Sequence, residues 1–214
     1  MRAVLFDLDG TLADTAPDLA RALNRLRTER GLGPVPPAVT RAHTSSGARG
    51  MLGVGMGVKP DHDSYAELRS RFLDYYEESL CVGTKLFDGI PELLAALAKK
   101  GLRWGVVTNK PRRFTEPLMR RLDPKGTVAC VVSGDTTPKA KPAPEPLLHA
   151  AGMLKLPPSD CLYLGDDLRD VQAARAAGMG CIVAAWGYLG DAGDPSGWGA
   201  DAVIRHPREA LKFI

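Results

Sequence analysis

No apolar run in this 214-residue chain approaches the ~20 residues of a membrane span, so no membrane partner is expected. At the N-terminus the apolar segment stops after four residues at Asp7, too short for the core of a secretory signal. Neither sign of charge dominates: 28 Lys plus Arg against 25 Asp plus Glu leave a formal net charge of +3, evenly spread. So mild a balance argues against a nucleic-acid partner and suits an anionic small molecule. Cysteine is limited to Cys81, Cys130, Cys161 and Cys181, with no C-x-x-C spacing. The last three lie in apolar strand-like runs, where core thiols are expected rather than ligands or disulfides, and the expected setting is a reducing cytoplasm. Repeats and low-complexity segments are absent as well. What remains is an ordinary globular composition, 44% hydrophobic and 25% charged, for one large domain or a core with a small insertion.

The first fifteen residues organise the rest. Ala3-Val4-Leu5-Phe6 reads as a buried strand of a parallel sheet, and Asp7 and Asp9 follow before a sharp turn at Gly10. In an open α/β sheet such a strand end faces the ligand crevice. Two carboxylates this close repel each other, which suggests a cation between them. A calcium loop of the EF-hand kind fails on register, because aligning its fixed glycine to Gly10 puts Leu5 and Ala16 where carboxylates are needed. Two readings stay open for D-x-D-G-T: a solvated turn, or a phosphoryl-transfer signature with Asp7 as nucleophile and Asp9 as general acid/base.

Beyond the turn, apolar residues at 19, 22, 23 and 26 have helical spacing, a second helix is expected near Ala38, and 44–50 reads as a polar, glycine-flanked loop. Residues 63–79 form another helical stripe. From Phe87 onward, helix and strand alternate: helices at 91–100, 114–122, 145–153 and 171–177, and strands at 104–107, 128–132, 161–164 and 181–185. A loop over 188–200, a short strand at 202–204 and a terminal helix complete the chain. The pattern predicts an α/β fold: a Rossmann-like, doubly wound parallel sheet core (1–14 and 84–214) with a helical cap inserted after the first strand (15–83).

Predicted strand ends carry further chemistry. One ends in Thr108-Asn109, both able to hydrogen-bond phosphate oxygens, although threonine at a strand end is common without function. Another is followed by Lys139-Ala-Lys141-Pro, where Pro142 and Pro144 fix the backbone before a helix. A third ends in Gly165-Asp166-Asp167-Leu-Arg-Asp170; helix capping accounts for one of these acids, and three exceed what capping requires. A phosphate brought to ~4 Å from an ionised carboxylate meets repulsion of about 4 kcal/mol per unit-charge pair at an effective dielectric of ~20. A hard divalent ion and a fixed lysine would cancel it, which makes these pieces one functional unit.

The ordered set Asp7-x-Asp9-Gly-Thr, Thr108-Asn109, Lys141-Pro and Gly165-Asp166-x-x-x-Asp170 resembles the phosphatases of the haloacid dehalogenase superfamily across essentially the whole chain. The phosphoglycolate phosphatase-like group, with a helical cap after its first strand, is the nearest in form. Stretches such as L-F-D-G-I-P-E-L-L (86–94) and G-D-D-L-R-D (165–170) look like those of N-acetylmuramic acid 6-phosphate phosphatases. The resemblance implies a magnesium-dependent phosphomonoester hydrolase acting on a small phosphorylated metabolite, 2-phosphoglycolate or N-acetylmuramic acid 6-phosphate, as a monomer or homodimer. It makes Asp7 the nucleophile and Asp9 the acid/base with its main-chain carbonyl on Mg²⁺. Thr108 then binds the phosphoryl group with Asn109, Lys141 neutralises it, Asp166 ligates the metal and Asp170 supports the metal site. Lys139 offers a second lysine, and Asp167 stands where many relatives have a small hydroxyl residue. Both favoured substrates carry a carboxylate remote from the phosphate, and Arg49 in the polar cap segment is the candidate to hold it, unless it is a solvated helix-end cation. A metal-independent dehalogenase and a non-enzymatic phospho-acceptor domain are the alternatives.

Overall fold

From β1 (Ala3–Phe6) the chain passes through a two-residue strand β2 (Ala13–Asp14) into a helical excursion. This comprises α1 (Ala16–Glu29), α2 (Pro37–Arg41), a 3-10 turn (Thr44–Ser46), α3 (Gly47–Met56) and α4 (Tyr65–Glu78). It returns along β3 (Lys85–Leu86), antiparallel to β2. Helix and strand then alternate through α5 (Ile90–Lys99), β4 (Arg103–Val107), α6 (Arg112–Leu122), β5 (Cys130–Val132) and α7 (Glu145–Leu154). The series ends with β6 (Cys161–Gly165), α8 (Leu168–Ala176), β7 (Gly180–Ala184), β8 (Ala202–Ile204) and a 3-10 run (Pro207–Phe213). The computed structural model describes residues 1–190 and 192–214.

The six-stranded sheet has the order β5-β4-β1-β6-β7-β8, every neighbouring pair parallel. Its central strand explains the continuous apolar run, because alternate side chains serve two cores. Val4 and Phe6 join α5 and α6 on one face. Ala3 and Leu5 join α7 and α8 on the other. Helices on both faces make the architecture Rossmann-like and doubly wound. Phe6 is fully buried and meets Trp104 edge to face at 6.4 Å, so truncation to alanine there should cost ~3–5 kcal/mol.

The helical excursion is fastened at its base. Buried Asp18 in α1 accepts hydrogen bonds from Gly83 N (2.7 Å), Thr84 N (3.0 Å) and Thr84 Oγ1 (2.7 Å), tying the outgoing and returning chain together. The Tyr188 hydroxyl accepts from Thr15 N (2.8 Å) and Ala16 N (2.9 Å), satisfying free donors at the start of α1.

Several boundaries depart from expectation. The β2–β3 ribbon was not visible in the sequence, since two-residue strands leave no periodic signal. Residues 44–50, expected as a loop, are a 3-10 turn running into α3, so Arg49 stands in a first helical turn. Tertiary packing overrides the glycine-rich composition there. Met51 and Leu52 are buried, and a Cβ added at Gly55 would lie 2.5 Å from Leu23. The terminal helix is 3-10, and the expected loop 188–200 contains a 3-10 turn at Pro195–Gly197; Asp191 lies outside the described residues. Cys130, Cys161 and Cys181 are buried free thiols, and Cys81 is free and half-buried. Among the described residues no helix is long and apolar enough to cross a membrane.

Candidate active site

The C-terminal ends of β1, β4 and β6 converge, with the helical excursion above them, on a cavity of about 700 Å³. Asp7, Asp9, Thr108, Lys141 and Asp170 line its floor, and residues 44–49 line its opposite wall.

Asp7 leaves the end of β1 with its main-chain N–H bonded to Leu164 O on β6 (2.8 Å), so its position is set by the sheet. Lys141 Nζ lies 2.9 Å from Asp7 Oδ1 and 2.7 Å from Asp170 Oδ1. The same ammonium donates to the Tyr163 hydroxyl (2.7 Å) and Val107 O (3.1 Å), which immobilises it. Burial alone would discharge this lysine, but Asp170 and Asp7 together raise its pKa and keep it charged. Lys139, by contrast, is exposed and paired with Glu145 at 3.1 Å, so of these two lysines it is Lys141 that reaches Asp7 and Asp170.

Asp7, Asp166 and Asp170 each offer an oxygen to one cluster in which these atoms lie within 4.8 Å of one another. Burial pushes the Asp7 carboxyl up to about 6, with Lys141 opposing and Asp170 and Asp9 adding to the rise. Asp166 is fully buried and is raised well above the usual range, first by burial and then by Asp7 and Asp170. Its two oxygens accept from Thr11 Oγ1 (2.8 Å) and Tyr188 N (2.9 Å). Gly10, at φ +89°, lets the turn pass so close that an added Cβ would sit 2.1 Å from Asp166 Oδ2. Three crowded carboxylates, with Asp7 and Asp166 raised in proton affinity, form the all-oxygen donor set that a hard divalent cation prefers.

The Asp9 carboxylate points elsewhere. It accepts from Thr15 Oγ1 (2.5 Å) and from Lys110 Nζ (2.9 and 3.2 Å), outside the three-acid cluster. Lys110 is buried, lies 4.7 Å from the centroid of the Tyr76 ring, and is kept charged by Asp9 and Tyr76 against the cost of burial. The sequence assigned no role to Lys110, Thr11, Thr15, Tyr163 or Tyr188. Thr11 closes the D-x-D-G-T motif and Lys110 follows Thr108-Asn109, so these two could have been suspected.

Thr108 is buried at the cavity floor, where its Oγ1 accepts from Lys110 N (3.2 Å). Asn109 lines the same cavity, and its side-chain amide also makes a contact that the sequence did not announce. Its Oδ1 accepts from Lys141 N and its Nδ2 donates to Lys141 O, both at 2.9 Å, so its amide braces the lysine's backbone. Asp167 is separated from Asp166 by function as well. It caps α8 and pairs with Arg169 through both oxygens at 2.8 Å, while Asp170 completes the capping box. Arg49 lines the opposite wall and is exposed.

This arrangement can be set against known proteins. A sequence model of the haloacid dehalogenase-like hydrolases matches residues 4–184. An N-acetylmuramic acid 6-phosphate phosphatase from Pseudomonas aeruginosa is 46% identical over 214 residues, covering 100% of this chain and 95% of the relative. A phosphoglycolate phosphatase from Xanthomonas campestris pv. campestris is 43% identical over 207 residues, covering 96% and 93% respectively. Among solved structures, a predicted phosphoglycolate phosphatase from Haemophilus somnus superposes with a TM-score of 0.87 at 25% identity, covering 100% of this chain and 97% of that one. Parallel sheet, converging acids and matched sequence agree, and the chain belongs to the haloacid dehalogenase-like hydrolase family.

Proposed function

We propose that this chain is a magnesium-dependent phosphomonoester hydrolase with Asp7 as nucleophile, acting in the cytoplasm on N-acetylmuramic acid 6-phosphate. The observation that carries the reading is the Lys141-paired Asp7 at the floor of the cavity, next to Asp166 and Asp170. Core (1–14 and 84–214) and helical cap (15–83) would enclose the substrate between them.

An Asp7 carboxylate oxygen attacks phosphorus, the bond to the substrate oxygen breaks, and Asp9 protonates the departing alcohol. Water then attacks the aspartyl-phosphate while Asp9 takes its proton, releasing inorganic phosphate and regenerating Asp7. Lys141 and the Thr108 hydroxyl hold phosphoryl oxygens, and Asn109 holds Lys141. Lys110 keeps the Asp9 side chain directed at the cavity. Asp7, Asp166, Asp170 and the Asp9 carbonyl would hold Mg²⁺, whose charge offsets the repulsion between phosphate and carboxylates.

Between the two relatives' substrates, the cavity favours the larger. About 700 Å³ suits a phosphorylated amino sugar and leaves 2-phosphoglycolate loosely held. The test is phosphate release from N-acetylmuramic acid 6-phosphate, 2-phosphoglycolate and 4-nitrophenyl phosphate, with Mg²⁺ or chelator. Activity should vanish in chelator and return with Mg²⁺, Asp166→Ala should need far more Mg²⁺, and the amino sugar should be preferred by at least about tenfold in kcat/KM. Full turnover in chelator overturns the metal-dependent reaction; preference for 2-phosphoglycolate overturns the substrate choice alone.

A further inference from the structure

Arg169 stands at the start of α8, on the wall of the cavity, and has no part in the chemistry above. Its guanidinium is held in a two-pronged clamp, Nε to Asp167 Oδ1 and Nη2 to Asp167 Oδ2, both at 2.8 Å. The Arg169 main-chain N–H also donates to Asp167 Oδ1 (2.9 Å), so the carboxylate that orients the guanidinium is itself fixed by the helix start. Burial raises the Asp167 carboxyl, yet the side-chain and backbone hydrogen bonds from Arg169 bring it below the usual range, so the pair is fully ionised at neutral pH.

One prong is shared. Nη2 also donates to Ser45 O at 2.9 Å, across 124 residues of sequence. Ser45 belongs to the 3-10 turn that leads directly into α3, whose first turn carries Arg49. A core guanidinium, oriented in advance by a core carboxylate, therefore grips the main chain of the segment that forms the cavity's far wall. Orientation in advance lowers the entropy lost when that grip forms. The anchor is rigid for a second reason: Asp170, which holds Lys141, also accepts from Asp167 N (3.1 Å), so grip and catalytic lysine share one helix start.

We propose that Arg169 is a positioning residue: clamped by Asp167, it latches residues 44–49 onto the core and sets the enzyme's reactivity toward substrates that extend beyond the phosphate to Arg49. The inference rests on the phosphatase reading above. It assigns Asp167 a task distinct from metal binding, and it makes specificity depend on a bond to main chain, which no side-chain comparison of the cap would disclose.

Arg169→Gln removes the fork while keeping the main-chain donor that caps α8. This variant should lose about tenfold or more in kcat/KM on N-acetylmuramic acid 6-phosphate and stay within about twofold of wild type on 4-nitrophenyl phosphate, which has nothing to offer the far wall. Arg169→Lys keeps the charge but cannot grip Asp167 and Ser45 O together, so it should resemble Arg169→Gln. Combined with Arg49→Ala, the losses should fall well short of additive, because both changes disable the same contact. Amide hydrogen exchange supplies a readout independent of turnover: residues 44–56 should exchange faster in Arg169→Gln while β1 and β6 stay protected. Equal losses on both substrates, full rescue by lysine, additive losses with Arg49→Ala, or unchanged exchange over 44–56 would each overturn the latch. Wild-type protein that releases no phosphate from any of the three esters would overturn the phosphatase reading instead, leaving the exchange measurement to judge the latch.

Discussion

Replacing Asp7 with asparagine should abolish turnover and, in the absence of metal, make the protein more stable. Burial lifts this carboxyl from 3.8 to about 6, against the pull of Lys141 and with the help of Asp170 and Asp9. Its side chain is only 14% exposed, so solvent screening takes little off the effect. A carboxyl raised on folding contributes most below its unfolded value near 3.8, and that contribution is lost as pH rises through about 6. Above pH 7 the ionised group therefore weighs against the folded state by about 3 kcal/mol, at 1.36 kcal/mol per pKa unit. Asparagine keeps the shape without the charge. In chelator at pH 7.5 the variant should melt about 6–12 °C higher than wild type, since a chain of this size gains ~2–4 °C per kcal/mol. The gap should close toward pH 4, where wild-type Asp7 is protonated. Saturating Mg²⁺ should close it from the other side, because a cation bound to the ionised carboxylate stabilises wild type. Thermal melts at pH 4, 5.5 and 7.5, with chelator or Mg²⁺, make the measurement. An Asp7→Asn protein no more stable than wild type at pH 7.5 in chelator, or a gain independent of pH, would refute the account of a strained, cation-seeking carboxylate cluster.

Two other perturbations probe the same electrostatics from different sides. Lys141→Met leaves Asp7 and Asp170 buried without their shared cation. It should cost ~3–5 kcal/mol at pH 8, less at pH 5 where protonation relieves the repulsion, and lower kcat by about a thousandfold; a melt that ignores pH would contradict it. Arg49→Ala should lower kcat/KM by ~1.5–3 kcal/mol on substrates with a remote carboxylate and leave 4-nitrophenyl phosphate hydrolysis almost unchanged, whereas equal losses on both would place the specificity contact elsewhere.

By itself the sequence determined what short-range physics can specify. Apolar runs ending in Asp7, Thr108 and Asp166 identify strands of a two-faced sheet, because a strand buried on both sides must be apolar throughout and can turn polar only where it leaves the core. Helices of strong periodicity, such as α1 and α5, were likewise legible. Choices between neighbours in the sequence, which the family resemblance named but composition and periodicity could not make, are explained by the tertiary structure. Asp166 rather than Asp167 enters the acid cluster, and Lys141 rather than Lys139 reaches Asp7, because the chain's path after a strand end sets which side chain faces inward. Composition also concealed α3, whose glycines are tolerated because Leu23 fills the space beside Gly55. Least visible of all were contacts between separate elements: Lys110 on Asp9, Tyr188 on Asp166, and Arg169 on the main chain of Ser45. No local pattern announces them: Lys110 reaches Asp9 because β4 lies beside β1, Tyr188 reaches Asp166 because β7 lies beside β6, and Arg169 meets Ser45 only through the packing of the helical segment over the sheet.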